Sequence, residues 1–169
     1  MAKYSYGISA FTVANIDPGT FLGVNPVDVK EMVYRDSFNM TEEEGTTIDH
    51  YSEMDSTPKV SFTEVGKEII TLQLMETQVD NLVLFLGGTK TVVATRDRWS
   101  KPTTATDIEK FISITTNDGT TIQIPRAKVT ARKNLQFRRN GIWLIDVTLT
   151  PLTPKGGTLA AMVIDDPAA

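Results

Sequence analysis

The sequence contains no cysteine and a single histidine, His50. The absence of cysteine excludes disulfide bonds, thiolate metal sites and a cysteine nucleophile, and it favours assembly in a reducing compartment. A serine–histidine–acid site would have to be built around His50, which lies in a polar stretch and is better explained as a surface or interface residue. We therefore predict that the protein is not an enzyme and has no catalytic residues.

Long apolar runs and phosphate-binding loops are also missing. No apolar stretch approaches the roughly 20 residues of a membrane-spanning helix, and the N-terminus has no apolar signal-peptide core. We therefore expect a protein that is soluble when made and does not bind a membrane. Gly87-Gly88 follows a helical pattern instead of opening one, so nucleotide binding is disfavoured. Glu42, Glu43 and Glu44 lack a calcium-loop spacing, and we expect neither a cofactor nor a metal.

The chain has 169 residues, of which 40% are hydrophobic, and this is enough for one domain with its own core. The prediction is a single domain over residues 1–169, with a long loop over 40–67 and a C-terminal tail over 155–169. The tail carries one apolar patch over 159–164, and we expect it to dock as an arm.

Charges of opposite sign are concentrated in different segments. Residues 36–68 hold nine acids and only two lysines, whereas no acid lies between Asp118 and Asp146. The basic residues of that second segment are Arg126, Lys128, Arg132, Lys133, Arg138 and Arg139. Either both segments form solvated surfaces, or they are complementary faces that meet between copies of the chain. Nucleic-acid binding by the basic segment is disfavoured by its small size and by the net charge of −4.

One short helix is predicted over residues 77–88 in an otherwise strand-like sequence. Thr77 and Asp80 match a capping box at its start, and Gly87-Gly88 permits the left-handed turn that ends a helix. An apolar stripe along the helix should face a sheet, because its spacing follows the helical period. The residues of this stripe are Val79, Leu82, Val83 and Leu86.

Alternating apolar and polar residues predict the strands of that sheet. Residues 68–74 form one strand, and residues 108–115 and 121–130 form a hairpin around the turn Asn117-Asp118-Gly119. Residues 142–150 form a further strand. Its core-facing side is predicted to hold Trp143, Ile145, Val147 and Leu149.

The remaining segments have weaker patterns. Residues 8–24 are predicted to form an arm or edge strand, residues 27–38 an extended segment, and residues 96–106 a polar connection after a short strand at 91–94. The stretch over 40–67 is unusually long for a loop, which points to a functional role. Its apolar residues favour ordering against a partner. They are Ile48, Tyr51, Met54, Val60 and Phe62.

Three features together indicate a family: the strand-to-helix run over 68–88, the long acidic loop before it, and the closing strand over 143–152. This layout, over residues 27–152, resembles the tail tube proteins of long-tailed bacteriophages and related injection machines. The resemblance implies a mainly β fold, a β-sandwich or half-open barrel flanked by one short α-helix, with a long inter-strand loop and terminal arms. The family offers no catalytic residues to transfer.

The resemblance also implies an assembly. Six copies would close into a ring around a channel, and stacked rings would form a hollow tube that conducts DNA from capsid to host cell. The long loop would contact the neighbouring ring, which assigns stacking to Glu42, Glu43, Glu44, Asp49 and Tyr51. We expect this acidic loop to meet the basic face of a neighbour, because head-to-tail assembly needs two complementary surfaces on one chain.

The implied partners are further copies of the chain and other tail proteins, such as the tail tip and the terminator. The tape measure protein and DNA would pass through the lumen without sequence-specific binding, in a virion tail assembled in the bacterial cytoplasm. Two alternatives stay open. One is another virion component, such as a tail completion or head decoration protein. The other is a monomeric or dimeric β-sandwich module that holds a protein or a glycan with the long loop.

Overall fold

The computed structural model of the protein describes residues 4–104, 106–155 and 159–167. Within these ranges the chain forms twelve strands, one α-helix (α1, Val79–Leu86) and one 3₁₀ turn (Lys30–Met32). The strands are β1 (Ala10–Ile16), β2 (Gly23–Asp28), β3 (Asn39–Glu42), β4 (Thr46–Tyr51), β5 (Pro58–Glu64), β6 (Glu68–Leu74), β7 (Thr89–Val93), β8 (Arg96–Ser100), β9 (Ile108–Thr115), β10 (Thr121–Asn134), β11 (Leu144–Pro151) and β12 (Val163–Asp165).

The alternation of apolar and polar residues produces one large antiparallel sheet. Its strand order is β2-β1-β9-β10-β11-β6-β3, and β12 pairs with the first part of β10. In β6, Ile70, Leu72 and Leu74 are buried on one side, as predicted. The predicted hairpin consists of β9 and β10, with Gly119 at a φ of +92° in the turn. Both predictions are confirmed.

The segment between β2 and β3 links two distant strands of the sheet. The backbone N–H of Val29 donates to the carbonyl of Phe11 in β1 at 2.8 Å, and that of Tyr34 donates to Gln73 in β6 at 2.7 Å. The rings of Phe11 and Phe38, which precedes β3, pack edge to face at 5.4 Å. The sheet therefore curls around its core, and the predicted mainly β fold with one short helix is confirmed.

The core fills the concave side of this sheet, and the helix contributes one large side chain to it. Phe85 of α1 is buried together with residues from β1, β6, β9, β10 and β11. Burial of such side chains contributes about 1.5–3 kcal/mol each. The largest fully buried side chains are Phe11, Phe85, Ile70, Leu74, Ile112, Ile124, Ile145 and Leu149.

The start of α1 differs from the predicted capping box. The N-cap residue is Gln78, and no side chain caps the helix. Asp80 therefore lies one position too early to act as the N3 acid of a box. Its carboxylate instead accepts hydrogen bonds from the Lys90 ammonium at 2.8 and 2.9 Å. The predicted end is confirmed, since Gly87 and Gly88 have φ angles of +68° and +92°.

The buried face of α1 also differs from the predicted stripe. Phe85 and Asn81, one turn apart, are its buried residues. Apolar residues occur all around this short helix, so the sheet selects the face that inserts the largest ring into the core. The predicted stripe is confirmed in part, because Leu82 and Leu86 pack against the core. All of its residues are only half-buried: Val79, Leu82, Val83 and Leu86.

The N-terminal region is partly an edge strand and partly core. β2 lies at the end of the sheet, whereas β1 lies between β2 and β9. Phe11 and Val13 in β1 are fully buried. The prediction of an arm or edge strand is therefore wrong for β1, because its side chains complete the main core.

Three other segments differ from the sequence prediction. The extended stretch over 27–38 is interrupted by the 3₁₀ turn, and the predicted connection over 96–106 begins with β8, which pairs with β7. Trp143 precedes β11 and is 42% exposed, so the prediction that it faces the core is wrong. The prediction of a docked tail is supported by β12, although residues 156–158 and 168–169 lie outside the described residues.

Candidate assembly interface

Residues 46–64 form a hairpin that stands apart from the large sheet. Among the described residues, its strands β4 and β5 pair only with each other, and every residue of both strands is exposed. The predicted loop over 40–67 is therefore wrong as local structure, because it contains most of β3 and this hairpin. We call residues 46–64 the exposed hairpin.

One face of the exposed hairpin is apolar. The register pairs Ile48 with Phe62 and His50 with Val60, and directly opposed side chains share a face. The rings of His50 and Phe62 lie edge to face, with their centroids 6.0 Å apart. Phe62 is 58% exposed, and nearly half the surface of Ile48 and Val60 is exposed. We call Ile48, Val60 and Phe62 the apolar hairpin face.

The opposite face of the exposed hairpin is polar and holds two of the predicted contact residues. Asp49 pairs with Ser61, whose hydroxyl donates to the Asp49 carboxylate at 2.5 Å. The Tyr51 hydroxyl donates to the same carboxylate at 3.5 Å. The structure therefore brings Asp49 and Tyr51 together on the side opposite the apolar hairpin face.

The other predicted contact residues lie at the base of the hairpin. Glu42 ends β3 and pairs with Glu68 of β6. The backbone N–H of Glu43 donates to the Lys67 carbonyl at 2.9 Å, and Glu44 is exposed beside it. These glutamates and the Asp49–Tyr51 pair thus form two acidic sites along one projection. No cluster of three or more potential metal ligands occurs within the described ranges.

The tip of the exposed hairpin is held by an ion pair. The Lys59 ammonium lies 2.6 Å from the Asp55 carboxylate, which also accepts a hydrogen bond from the backbone N–H of Thr57. These two contacts, the lysine first, lower the pKa of Asp55. Met54, also in the tip, is almost completely exposed.

Two residues of the predicted basic face are engaged within the chain. The Arg126 guanidinium forms a two-pronged contact with the Glu109 carboxylate, at 2.5 and 2.7 Å, and also donates to the Thr153 carbonyl. This hydrogen bonding lowers the pKa of Glu109. The Lys128 ammonium lies 3.0 Å from the Asp107 carboxylate. Arg126 therefore links β10 to β9 and to the segment after β11.

The central part of the basic face lines a cleft beside the C-terminal end of α1. The cleft has a volume of about 760 Å³ and is bordered by β10 and the segment after β8. Trp99 forms part of its wall, donating its indole N–H to the Gly87 carbonyl at 2.8 Å, with the Lys133 ammonium 4.2 Å from its ring centroid. The cationic residues of the cleft are Lys101, Lys128, Arg132 and Lys133.

The loop between β10 and β11 carries an exposed aromatic pair that the sequence analysis missed. The rings of Phe137 and Trp143 pack edge to face at 5.2 Å, and Phe137 is 80% exposed. Arg138 and Arg139 lie between them in the sequence and complete the basic face. Aromatic residues and arginine are both enriched at protein interfaces. Their occurrence together in this segment is the sequence signal that could have indicated the aromatic pair.

No helix in the described parts of the chain is long and apolar enough to cross a membrane. Exposed apolar side chains on a projecting hairpin and a separate patch of aromatic residues and arginine are features of protein interfaces. The family model described as "Phage tail tube protein" matches residues 34–169, and the chain belongs to this family. None of the curated proteins matches the chain.

Family membership makes the protein a structural subunit of a phage tail tube and a component of the virion tail. It also implies assembly with further copies of the chain and with other tail components. The matched range begins after β1, β2 and the 3₁₀ turn. β1 and the 3₁₀ turn nevertheless contribute to the same core as the matched residues, through Phe11, Val13 and Met32.

Proposed function

We propose that the chain is a single tail-tube-like domain over residues 1–169, six copies of which form a ring. Stacked rings form a hollow tube that conducts DNA from the capsid to the host cell. The observation that carries this proposal is the exposed hairpin on a chain of the tail tube family. A two-stranded hairpin is at best marginally stable in water, so one that exposes both faces is suited to ordering against another subunit.

Stacking uses two different surfaces of each subunit. The acidic side consists of Glu42, Glu43, Glu44, Asp49 and Tyr51, and the basic side extends from Arg126 to Arg139. Arg126 and Lys128 already pair with carboxylates in their own chain. We therefore assign the intersubunit attraction to Arg132, Lys133, Arg138 and Arg139. Because the two surfaces differ, each added ring leaves one of them free to bind a further ring, and the contact propagates.

The lumen must let DNA pass without holding it. A neutral or acidic wall serves this purpose, because like charge repels phosphate. The basic face therefore lies outside the tube or at a subunit interface. The tape measure protein occupies the lumen before DNA, the tail tip and terminator proteins cap the ends, and assembly takes place in the bacterial cytoplasm.

Negative-stain electron microscopy of the purified protein at rising concentration tests this proposal. Hollow tubes or six-fold rings are the expected result. If the protein remains monomeric, purified tail tip complex is added as a nucleus before a second examination. A monomer under both conditions would contradict the proposal and favour a binding module, whereas a single closed ring that never stacks would favour a tail completion protein.

A further inference from the structure

The apolar hairpin face lies on the side of the hairpin opposite Asp49. Ile48, Val60 and Phe62 lie on one side, and the Asp49–Ser61 pair lies on the other. A salt-sensitive contact through Asp49 would leave these three side chains in water. Exposed apolar side chains grouped on one face of a regular element indicate a binding surface.

The aromatic pair of Phe137 and Trp143 is a second exposed apolar surface of the chain. Ile142 next to Trp143 is also 44% exposed, so the patch includes aliphatic area. The edge-to-face packing of the rings holds both in defined positions. Large, ordered aromatic side chains beside arginine are the typical anchors of protein interfaces. We call Phe137, Ile142 and Trp143 the aromatic patch.

We propose that the apolar hairpin face of one subunit packs on the aromatic patch of a second copy of the chain. This proposal rests on the proposed function and deepens it, because it names the receiving surface of the hairpin. Both surfaces are present on every subunit and differ from each other, so the contact is head-to-tail and propagates.

Charge complementarity supports the second copy as the occupant. Arg138 and Arg139 flank the aromatic patch, while the exposed hairpin carries four acids and one lysine, and Asp55 already binds that lysine. The two arginines attract the hairpin that carries Glu53 and Glu64, and they repel a cationic partner. The apolar contact then supplies the part of the affinity that added salt does not screen.

The absence of cysteine from the chain allows a direct test by cross-linking. Phe62→Cys and Trp143→Cys are prepared as separate variants, mixed, assembled and oxidised under mild conditions. We expect a disulfide-linked dimer that contains one copy of each variant. Thr63→Cys replaces the residue next to Phe62 on the opposite face of the hairpin, and its mixture with Trp143→Cys should give at least tenfold less of the mixed dimer.

Three results separate this proposal from the proposed function. A mixed dimer specific to Phe62→Cys supports both. Tubes that form normally without that dimer, or with equal yield from Thr63→Cys, would overturn the pairing and leave the tube intact. A wild-type protein that forms neither rings nor tubes would overturn both.

A second variant pair tests the same contact independently, through its effect on assembly. Phe62→Ser and Phe137→Ser each change an exposed side chain, so the fold should keep the wild-type thermal midpoint. Each should raise the protein concentration needed for tube formation at least tenfold. Thr63→Ser is the control and should leave it unchanged, and wild-type assembly by both phenylalanine variants would overturn the proposal.

Discussion

Gly66 and Glu43 approach each other at the base of the exposed hairpin so closely that a Cβ at position 66 would lie 1.5 Å from the Glu43 carbonyl oxygen. Gly45 is in a similar position, with a Cβ site 2.5 Å from the Glu64 carbonyl oxygen. Because backbone atoms cannot rotate away as a flexible side chain can, both positions require glycine. The two glycines thus set the width of the base from which the hairpin projects.

Gly66→Ala should push apart the two backbone segments that meet at this base, around Glu43 and Gly66. The Glu43 N–H to Lys67 carbonyl hydrogen bond would be lost, and exchange of the Glu43 amide should become about tenfold faster, equivalent to about 1.4 kcal/mol. Exchange of the Leu72 amide in the large sheet should stay slow. Thr63→Ala, at an exposed strand position, is the control. Unchanged exchange at Glu43 in Gly66→Ala would contradict the close approach.

Phe11→Ala should destabilise the protein strongly, although β1 precedes the family match. Its ring is fully buried and packs on Phe38, and removal of such a ring costs about 3–5 kcal/mol. Phe137→Ala removes the same atoms from an exposed position and should change the unfolding free energy by less than about 0.5 kcal/mol. Urea unfolding measures both variants, and equal losses would show that β1 is not part of the core.

The Arg126–Glu109 ion pair should contribute measurably to stability, because the arginine side chain is only 14% exposed. A double-mutant cycle with Arg126→Ala and Glu109→Ala should give a coupling of roughly 1–2 kcal/mol. The exposed Lys128–Asp107 pair is the control, with an expected coupling below about 0.5 kcal/mol. Similar couplings for the two pairs would contradict this ranking.

Ser5 and Tyr6 near the N-terminus are attached by hydrogen bonds to Asp118 and Asn117 in the turn between β9 and β10. Asp118 should make this attachment sensitive to acid. Its carboxylate accepts hydrogen bonds from the hydroxyls of Thr116, Thr120 and Ser5, which lower its pKa from 3.8 to about 2. A lowered pKa in the folded state means that the stabilisation is complete above the unfolded value and is lost as pH falls towards 2. The attachment should therefore weaken between about pH 4 and pH 2.

Hydrogen exchange checks this at the Asn117 amide, which donates to the Tyr6 carbonyl. After correction for the intrinsic rate, its protection should fall over that pH range in the wild type. Asp118→Asn cannot lose a carboxylate charge, and its protection should be lower at neutral pH and nearly independent of pH. A wild-type profile as flat as that of the variant would refute the assignment.

Charge reversal at Arg132 tests the electrostatic part of ring stacking. Arg132→Glu should raise the concentration needed for tube formation at least tenfold in low salt, because in the proposed acid–base contact it would place a negative charge against the acidic side of a neighbouring subunit. The difference from the wild type should narrow as sodium chloride is added, since salt screens exposed charges. Lys30→Glu makes the same change of charge on the 3₁₀ turn and should have little effect. Tube formation that Arg132→Glu leaves untouched would disprove the acid–base pairing.

The sequence predicted the elements whose signals are local. Ile70, Leu72 and Leu74 repeat with the period of a strand, and the Asp118-Gly119 turn supplies the positive φ that a tight hairpin needs. The turn between β7 and β8 lacks such a signal, because Ala94 adopts a φ of +57° without a glycine or asparagine. The hairpin of β7 and β8 was missed for this reason.

The segment that holds the candidate site could be predicted from the sequence, but the face on which each of its side chains lies could not. The acidic stretch and its apolar residues indicated a partner, but the register of β4 with β5 decides that Phe62 and Asp49 lie on opposite faces. The aromatic patch was missed because strand alternation was extended to Trp143, whereas β11 begins at Leu144 and Trp143 lies in the loop before it. Alternation held within the strand, where Ile145, Val147 and Leu149 are buried as predicted.

By itself, the sequence determined the mainly β class, the strand β6, the hairpin of β9 and β10, and the glycine end of α1. These features depend on side-chain period and turn chemistry within a few residues. The tertiary structure alone decided that Asp80 binds Lys90 instead of capping α1, that Phe85 fills the core, and that the exposed hairpin presents an apolar face. Each of these depends on packing or pairing with residues beyond the local segment, which a local pattern does not encode.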